Sequence, residues 1–289
     1  MADTRTKVVV LGATGMLGNA AVRVFAEDPA FDVIGVARST DAARLFAPEL
    51  ADRIVGGLDA ESQESLTEIF ARYAPDLVIN CVGLVKQLSG ANRVLEAVPI
   101  NTTLPHRLAR LCKVAGARLV HVSTDCVFTG EKGGYTEADP SDARDLYGVS
   151  KFWGEVDEPQ AITLRTSIIG HEMRSAHGLL GWFLEQSGTV RGFRRAIFSG
   201  LPTGELARVI RDHVVPRTEL HGVYHVSAEP IAKYDLLHLF AKAYRRDVEI
   251  EPDDALVIDR SLDSSRFRAA TGYVAPPWPE LIDAMRNLG

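Results

Sequence analysis

Through the first 170 residues, short apolar runs alternate with longer stretches in which apolar positions recur every third or fourth residue. A continuous apolar run of four to eight residues marks a buried strand, and a period near 3.6 marks a helix. Residues 7–11, KVVVL, stop at glycine and read as a strand covered on both faces. Residues 17–26 read as a helix closed by Asp28-Pro29. Strands are expected at 31–37 and 54–55, a polar helix at 62–73, and a fourth strand at 76–82 opened by Pro75. A helix over 105–115 stops at Gly116, and a fifth strand runs over 118–123. After a loop rich in Gly, Asp and Pro (130–145), a helix is expected at about 147–156 and a strand at 161–169.

Beyond residue 169 the rhythm breaks. Gly, Arg and aromatic residues dominate 170–200, which reads as irregular, with helices at 205–214 and 233–244 around a strand at 223–227. Alternating strands and helices imply a parallel sheet covered on both faces. The expected fold is therefore α/β: a Rossmann-type doubly wound parallel sheet from residues 1–169 plus about 200–228, with a smaller C-terminal α/β lobe. That lobe, about 170–199 and 229–289, should cover the sheet's carboxyl edge, where open α/β sheets bind ligands.

Composition narrows the function. With 289 residues, 46% hydrophobic and 24% charged, the chain can bury a sizeable core. A formal net charge of -6 leaves no global basic footprint for nucleic acid, so an anionic substrate needs local cations. Cys81, Cys112 and Cys126 lack metal-ligand spacing and read as reduced thiols of a cytoplasmic protein. The longest mostly apolar stretch, 77–85, is far short of the roughly 18 residues of a membrane helix. No membrane or metal is expected, and a homodimer is left open.

Candidate chemistry begins at the first loop. Gly12-Ala13-Thr14-Gly15-Met16-Leu17-Gly18 lies between a strand and a helix. Gly12 permits the tight turn, Gly15 close approach of a diphosphate, and Gly18 close helix packing. The helix start then offers free N–H groups to the anion. Gly12, Thr14, Gly15, Met16 and Leu17 form the expected cofactor cradle, joined by Leu58 after the third strand. At the end of the second strand stands Arg38, where a carboxylate would bind the ribose hydroxyls of NAD. An arginine can grip a 2′-phosphate instead, so NADP(H) is favoured over NAD(H).

Tyr147 and Lys151 form Y-x-x-x-K on one face of a helix. An ammonium beside the phenol should lower the tyrosine pKa and make it a proton donor or acceptor near neutral pH. At the tip of the fifth strand, the Thr124 hydroxyl can polarise a substrate carbonyl. His121, inside that strand, reads as a satisfied core histidine.

Taken together, GATGMLG from Gly12, INCVG from Ile79, INTTLPHRLARLCKVAGARLVHVSTDCVFTG from Ile100, YGVSKFWGE from Tyr147, LRTSIIG from Leu164 and YHVSAEPIAKYDLL from Tyr224 resemble the extended short-chain dehydrogenase/reductases. Within them the chain is similar to the dTDP-4-dehydrorhamnose reductase family. The resemblance implies hydride transfer to the C4 ketone of a nucleotide-linked 4-keto-6-deoxyhexose in surface polysaccharide or sugar-nucleotide biosynthesis. It implies Tyr147 as proton donor, Lys151 as its partner and ribose ligand, and Thr124 as the carbonyl ligand. It places Cys81, Val82 and Gly83 beneath the cofactor. Lys86, Thr124, Asp125, Cys126 and Arg260 would face the substrate.

The chain departs from that family where Cys126, Ile168 and Leu84-Val85 stand, positions that should face the sugar. Residues 81–87, CVGLVKQ, resemble relatives taken to reduce UDP-linked 2-acetamido-2,6-dideoxy-4-ketohexoses. Ala20 stands where some members carry a metal-binding glutamate, so neither that metal nor that dimer is carried over. Thr124-Asp125-Cys126 lacks the Asp-Glu pair of the related 4,6-dehydratases. A sugar epimerase and a non-catalytic NADP-binding regulatory subunit are the alternatives. A basic run, Arg191, Arg194 and Arg195, competes with Arg260 for the substrate diphosphate; its plain alternative is a solvated loop.

Overall fold

The structure is a computed structural model, and it describes residues 4–84, 93–173 and 176–288. Its strands are β1 (Thr6–Leu11), β2 (Phe31–Val36), β3 (Ile54–Val55), β4 (Leu77–Asn80), β5 (Arg118–Val122), β6 (Ala161–Arg165), β7 (Ile168–Ile169), β8 (Gly188–Phe193), β9 (Ala196–Phe198), β10 (Leu201–Pro202), β11 (Gly222–His225), β12 (Ile231–Ala232), β13 (Val248–Asp253) and β14 (Ile258–Asp259). Seven of them form one sheet in the order β3-β2-β1-β4-β5-β6-β11, every pairing parallel. The strand order reverses between β1 and β4, which opens a crevice at their carboxyl ends.

Alternate side chains explain why these runs are apolar throughout. Val8 and Val10 sink into one core layer with the helix Met16–Ala26, while Val9 and Leu11 sink into the opposite layer with Leu66, Leu104 and Leu108. The register aligns the strand tips: Leu11 pairs with Val36 and Asn80, and Asn80 with His121. The loops that follow β1, β2, β4 and β5 therefore open along one line.

Several expectations need correction. The strand expected over 161–169 is two strands. The Thr166 carbonyl accepts from the Asp125 N–H at 3.0 Å and the Ser167 carbonyl from the Leu201 N–H at 2.9 Å. The chain thus leaves the large sheet after Arg165, and β7 pairs with β10 instead. The helix expected to reach 156 covers Leu146–Trp153 and closes on Gly154. Residues 170–200 are not irregular: they hold the helix Leu179–Leu184, β8 and β9. The helix expected over 205–214 is Thr203–Val209, continued by a π-helical turn at Ile210–Val214.

Further elements not expected are β10, β12, β13, β14, the 3-10 turn Ala42–Leu45, the helices Pro48–Ala51, Val94–Ala97, Ser265–Thr271 and Trp278–Leu288, and the π-helix Val98–Thr103. β8 pairs with β13, and β9 lies between β12 and β14. These small sheets bring residues 256–260 beside the large sheet's carboxyl edge, where Leu256, Ile258 and Arg260 meet the tips of β5 and β6 in one cleft. Among the described residues no helix is long and apolar enough to cross a membrane.

Candidate active site

The glycine loop is held by backbone bonds. The Gly12 and Ala13 N–H groups both donate to the Val36 carbonyl at 3.0 Å, and the Gly15 N–H donates to the Gly12 carbonyl at 3.0 Å. Gly12 sits at φ +81°, and a Cβ at Gly18 would lie 2.1 Å from the Gly12 carbonyl oxygen. Neither position tolerates a side chain without moving the loop. The helix Met16–Ala26 begins at Gly15 with no side-chain cap. Its first N–H groups remain open to an anion, so this cradle fits a dinucleotide diphosphate.

Gly15, Met16 and Leu17 line the cleft; Thr14 is half-buried in the loop behind them. Arg38 is exposed beyond β2, and no ion pair of it occurs among the described residues. Leu58 packs into the core layer that also holds Leu11 and Val36, with its N–H on the Ala37 carbonyl at 3.3 Å. Cys81, Val82, Gly83 and Leu84 form the next wall. Lys86 and Val85 lie outside the described residues.

That wall is fixed by a residue the sequence reading did not single out. Asn101, 1% exposed, accepts from the Leu84 N–H at 2.9 Å and donates to the Leu84 carbonyl and the Ser150 hydroxyl, each at 3.2 Å. It stands in the π-helix Val98–Thr103, and no periodicity announces such a turn.

Thr124, Tyr147 and Lys151 do converge on the cleft. The Asp145 carboxylate caps their helix by accepting from the Gly148 N–H at 2.9 Å. The Thr124 hydroxyl accepts from the Cys126 N–H at 3.1 Å and donates to Asp125 Oδ1 at 3.2 Å. Lys151 Nζ donates to the Val122 carbonyl at 2.8 Å.

The expected depression of the tyrosine pKa is not what this geometry produces. Burial raises the Tyr147 pKa, as do Cys126, Asp125 and Asp145, against a hydrogen bond with Thr124. Lys151 is not among the groups that act on it. Burial instead lowers Lys151 itself to about 8, although Glu155 and Cys81 favour its charge. Desolvation is the largest cause at both groups.

The opposite wall carries side-chain charge. Arg260 Nε donates to the Phe128 carbonyl at 2.8 Å, and Nη1 lies 3.8 Å from Cys126 Sγ. It pairs with neither sequence neighbour: Asp259 accepts from the Ser261 N–H and Asp263 from the Ser265 N–H. Burial raises the Asp125 pKa, and Arg260 and Lys233 oppose that. Lys233, also missed in the sequence, opens the helix Lys233–Tyr244 and lines the cleft without a hydrogen bond or ion pair among the described residues. Its signal was an isolated lysine at a helix start, too common to single out. Burial raises Cys126 to about 12. Two members of the competing basic run are engaged at the surface, Arg191 with Asp253 at 3.6 Å and Arg194 with Asp254, and Arg195 is exposed outside the cleft.

His121 is buried, as expected, but not fully satisfied. Its Nδ1 meets the Asn80 amide at 3.1 Å, while Nε2 has no partner among the described residues. Burial, Lys151 and His106 hold its pKa well below the usual histidine range.

A cleft of about 560 Å³ thus joins an anion cradle, a Thr–Tyr–Lys cluster and two cations. With the reversal of strand order, these features define an extended short-chain dehydrogenase/reductase, a class of NAD(P)-dependent oxidoreductases. Residues 6–285 match the model of the RmlD substrate binding domain, and the chain belongs to that family.

Among relatives, the chain is 29% identical over 225 residues to the "Probable low-salt glycan biosynthesis reductase Agl14" of Haloferax volcanii, covering 76% of this chain and 69% of that protein. It is 26% identical over 261 residues to methionine adenosyltransferase 2 subunit beta of Danio rerio, covering 82% and 74%. A crystal structure of dTDP-4-dehydrorhamnose reductase from Bacillus anthracis in complex with NADP superposes with a TM-score of 0.78 at 20% identity, covering 98% of this chain and 99% of that one.

Proposed function

We propose that this protein reduces the C4 ketone of a nucleotide-linked 4-keto-6-deoxyhexose with NADPH, as a step in glycan or sugar-nucleotide biosynthesis. The observation that carries the reading is the convergence of Thr124, Tyr147 and Lys151 on a cleft that runs from the glycine cradle to Arg260. Gly12 to Leu17 and Cys81 to Gly83 would hold the cofactor, with Arg38 on its 2′-phosphate. A bound nicotinamide would supply the hydride.

The chain's own groups do the rest. Thr124 donates to the ketone oxygen and orients it. As the carbonyl carbon takes up the hydride, negative charge grows on that oxygen, and Tyr147 transfers its proton there to give the alcohol. The Tyr147 phenol is protonated at neutral pH and so has a proton to give; burial makes it a weak acid until charge grows on the ketone oxygen beside it. Lys151 holds the ribose and later offsets the phenolate charge. Arg260 and Cys126 lie on the substrate side, and residues of about 170–199 and 229–289 form the lobe that would hold the sugar nucleotide. The sugar is dTDP-4-dehydrorhamnose-like or a UDP-linked 2-acetamido-2,6-dideoxy-4-ketohexose; Cys126 and Ile168 favour a pocket unlike that for rhamnose.

A second reading, a non-catalytic NADP-binding subunit, has one observation behind it, the likeness to methionine adenosyltransferase 2 subunit beta of Danio rerio. NADPH oxidation assayed with dTDP- and UDP-linked 4-keto-6-deoxy sugars, with product NMR, decides between them. Steady turnover with one of these sugars supports the reductase. Tight NADPH binding with no turnover on either points to a binding subunit.

A further inference from the structure

The helix Leu146–Trp153 and the tip of β5 meet in a regular pattern. Tyr147 and Thr124 line the same cleft, and Lys151 Nζ donates to the Val122 carbonyl at 2.8 Å. Glu155, four residues further on, accepts from the Ser123 hydroxyl at 2.8 Å. Three consecutive residues at the strand tip thus meet Tyr147 and Lys151 of the helix and, just past its Gly154 cap, Glu155.

The third tie differs from the others because it is itself clamped. Both Glu155 oxygens are taken by the Arg165 guanidinium, at 2.7 Å through Nε and 2.7 Å through Nη2. The two side chains are 6% and 5% exposed. Arg165 is clamped in turn: it stacks over the Phe128 ring at 5.3 Å and reaches His225 Nε2 at 3.3 Å. His225 Nδ1 meets the Tyr135 carbonyl at 3.0 Å. A bidentate pair in a buried setting fixes the carboxylate in orientation as well as position. A buried ion pair is a poor source of stability, since replacing both partners by apolar groups is often neutral. Its placement here points to another use.

We propose that Glu155 is a positioning residue for the reduction: held rigid by Arg165, it fixes Ser123, and with it the Thr124 hydroxyl, and it sets a carboxylate at the strand tip that the Lys151 ammonium also grips. This rests on the reductase reading of the site. Lys151 needs such a partner. Burial lowers its pKa to about 8, and of the two groups that oppose this, Glu155 and Cys81, the Cys81 thiol is itself pushed up to about 12 by burial and so stays uncharged. Lys151 in turn lowers the pKa of His121, whose Nε2 has no partner among the described residues and can supply no countercharge. Glu155 is the carboxylate among these neighbours. Arg165 neutralises part of it, and its geometry leaves Oε1 shared between Arg165 and Ser123, toward the strand tip.

The test uses the full chain and two readouts. One is NADPH oxidation with the active 4-keto sugar nucleotide from pH 6 to 10. The other is NADPH affinity over the same range by fluorescence, which does not depend on turnover. Glu155→Gln should lower kcat about tenfold with little change in KM, the scale of one lost charged hydrogen bond. It should also move the alkaline limb of both profiles down by about one pH unit, the scale of an opposite charge removed from a lysine's side. Glu155→Asp should restore part of the limb.

Because Glu155→Gln leaves Arg165 buried and unpaired, the double variant Glu155→Gln/Arg165→Met is the decisive one. It removes both charges, so the fold should recover while the limb stays displaced. A double variant with the wild-type kcat and the wild-type limb would show that the pair is only structural and overturn the proposal. Ser123→Ala should lower kcat several-fold and leave the limb in place; unchanged kcat there would refute the positioning of Thr124. If the wild-type protein binds NADPH and turns over neither sugar, the reductase reading fails, and the pH dependence of NADPH affinity still decides whether Glu155 governs Lys151.

Discussion

The two walls of the cleft are built on different plans. The wall at β1 and β4 presents backbone: an uncapped helix start, glycines at 12, 15 and 18, and a loop pinned by Asn101. The wall beyond β5 and β14 presents side-chain charge: Asp125, Lys233 and Arg260. Backbone donors exist at every residue, so the first wall demands only a turn of fixed shape, and a contiguous spacing of glycines encodes it. The second wall must gather charges from distant segments; Cys126 and Arg260 are 134 positions apart. On the proposed assignment, cofactor recognition is local in sequence and substrate recognition is not. The residues proposed as catalytic sit on the seam, just past the tip of β5 and on the helix Leu146–Trp153.

The largest expected effect lies on that seam. Tyr147→Phe keeps the ring and removes the proton, so turnover should fall by at least about a hundredfold, the scale of general acid catalysis. NADPH affinity should hold, because the backbone wall is untouched. Near-normal turnover would remove Tyr147 from the mechanism and break the division between the walls at its centre.

Lys151 gives a second test through pH. Its pKa falls from 10.5 to about 8 on folding. Below about pH 8 it is charged in both states. Between about 8 and 10 the folded protein has lost a proton that the unfolded chain keeps, so this group's contribution to stability rises with pH, by up to about 3 kcal/mol. Activity should fall over the same window as the ammonium is lost. Urea unfolding of wild type and Lys151→Met from pH 7 to 10 measures the difference. A stability gap that does not change with pH would mean that Lys151 keeps its proton in the fold.

How far the sequence reached follows the same division. β1, β2 and β3, the Ser62-capped helix Gln63–Tyr73 and the Gly116 stop were legible because buried parallel strands and helix caps leave local marks. The Tyr147 and Lys151 pair was legible because its spacing is helical, and Thr124 because it closes an apolar strand. The break after Arg165 was not, because Thr163 to Ile169 is a continuous strand-like run and the cause, Asp125 bonding to Thr166, is tertiary. β8 and β13 pair across about sixty residues, and each is too polar to read as a buried strand alone. Asn101 and Lys233 escaped because a turn of π-helix and a lone lysine have no pattern. The tyrosine pKa was misjudged because the helix predicts proximity to Lys151 but not the depth of burial.

On the charged wall, Arg260→Ala should raise the sugar-nucleotide KM about tenfold, since a charged hydrogen bond contributes about 1.5–3 kcal/mol. The NADPH Kd should not move. If NADPH binding collapses while KM holds, Arg260 belongs to the cofactor and the walls have been assigned the wrong way round. Arg38→Ala sharpens the other wall, because it is the one side chain there expected to read charge. It should weaken NADPH several-fold and leave NADH nearly unchanged, as only NADPH carries the 2′-phosphate. Equal losses in fluorescence titrations of the two cofactors would show that the backbone alone recognises the dinucleotide.

The smallest effect is expected where sequence offered the densest positive charge. Arg194 looks as suited to a diphosphate as Arg260, but its guanidinium is engaged by Asp254 on an exposed face, 53% and 49% accessible. Arg191 reaches Asp253 beside it. Neither arginine is among the residues that line the cleft, whereas Arg260 is held there by the Phe128 carbonyl. Exposed ion pairs are screened by water and salt and contribute little to the fold. Arg194→Ala should therefore leave kcat, sugar-nucleotide KM and NADPH affinity within about twofold of wild type. A tenfold rise in KM, abolished at high salt, would mean that the basic run guides the substrate from the surface. Charge on the second wall would then extend well beyond the cleft, and position within the fold would no longer separate the arginines that read the diphosphate from those that do not.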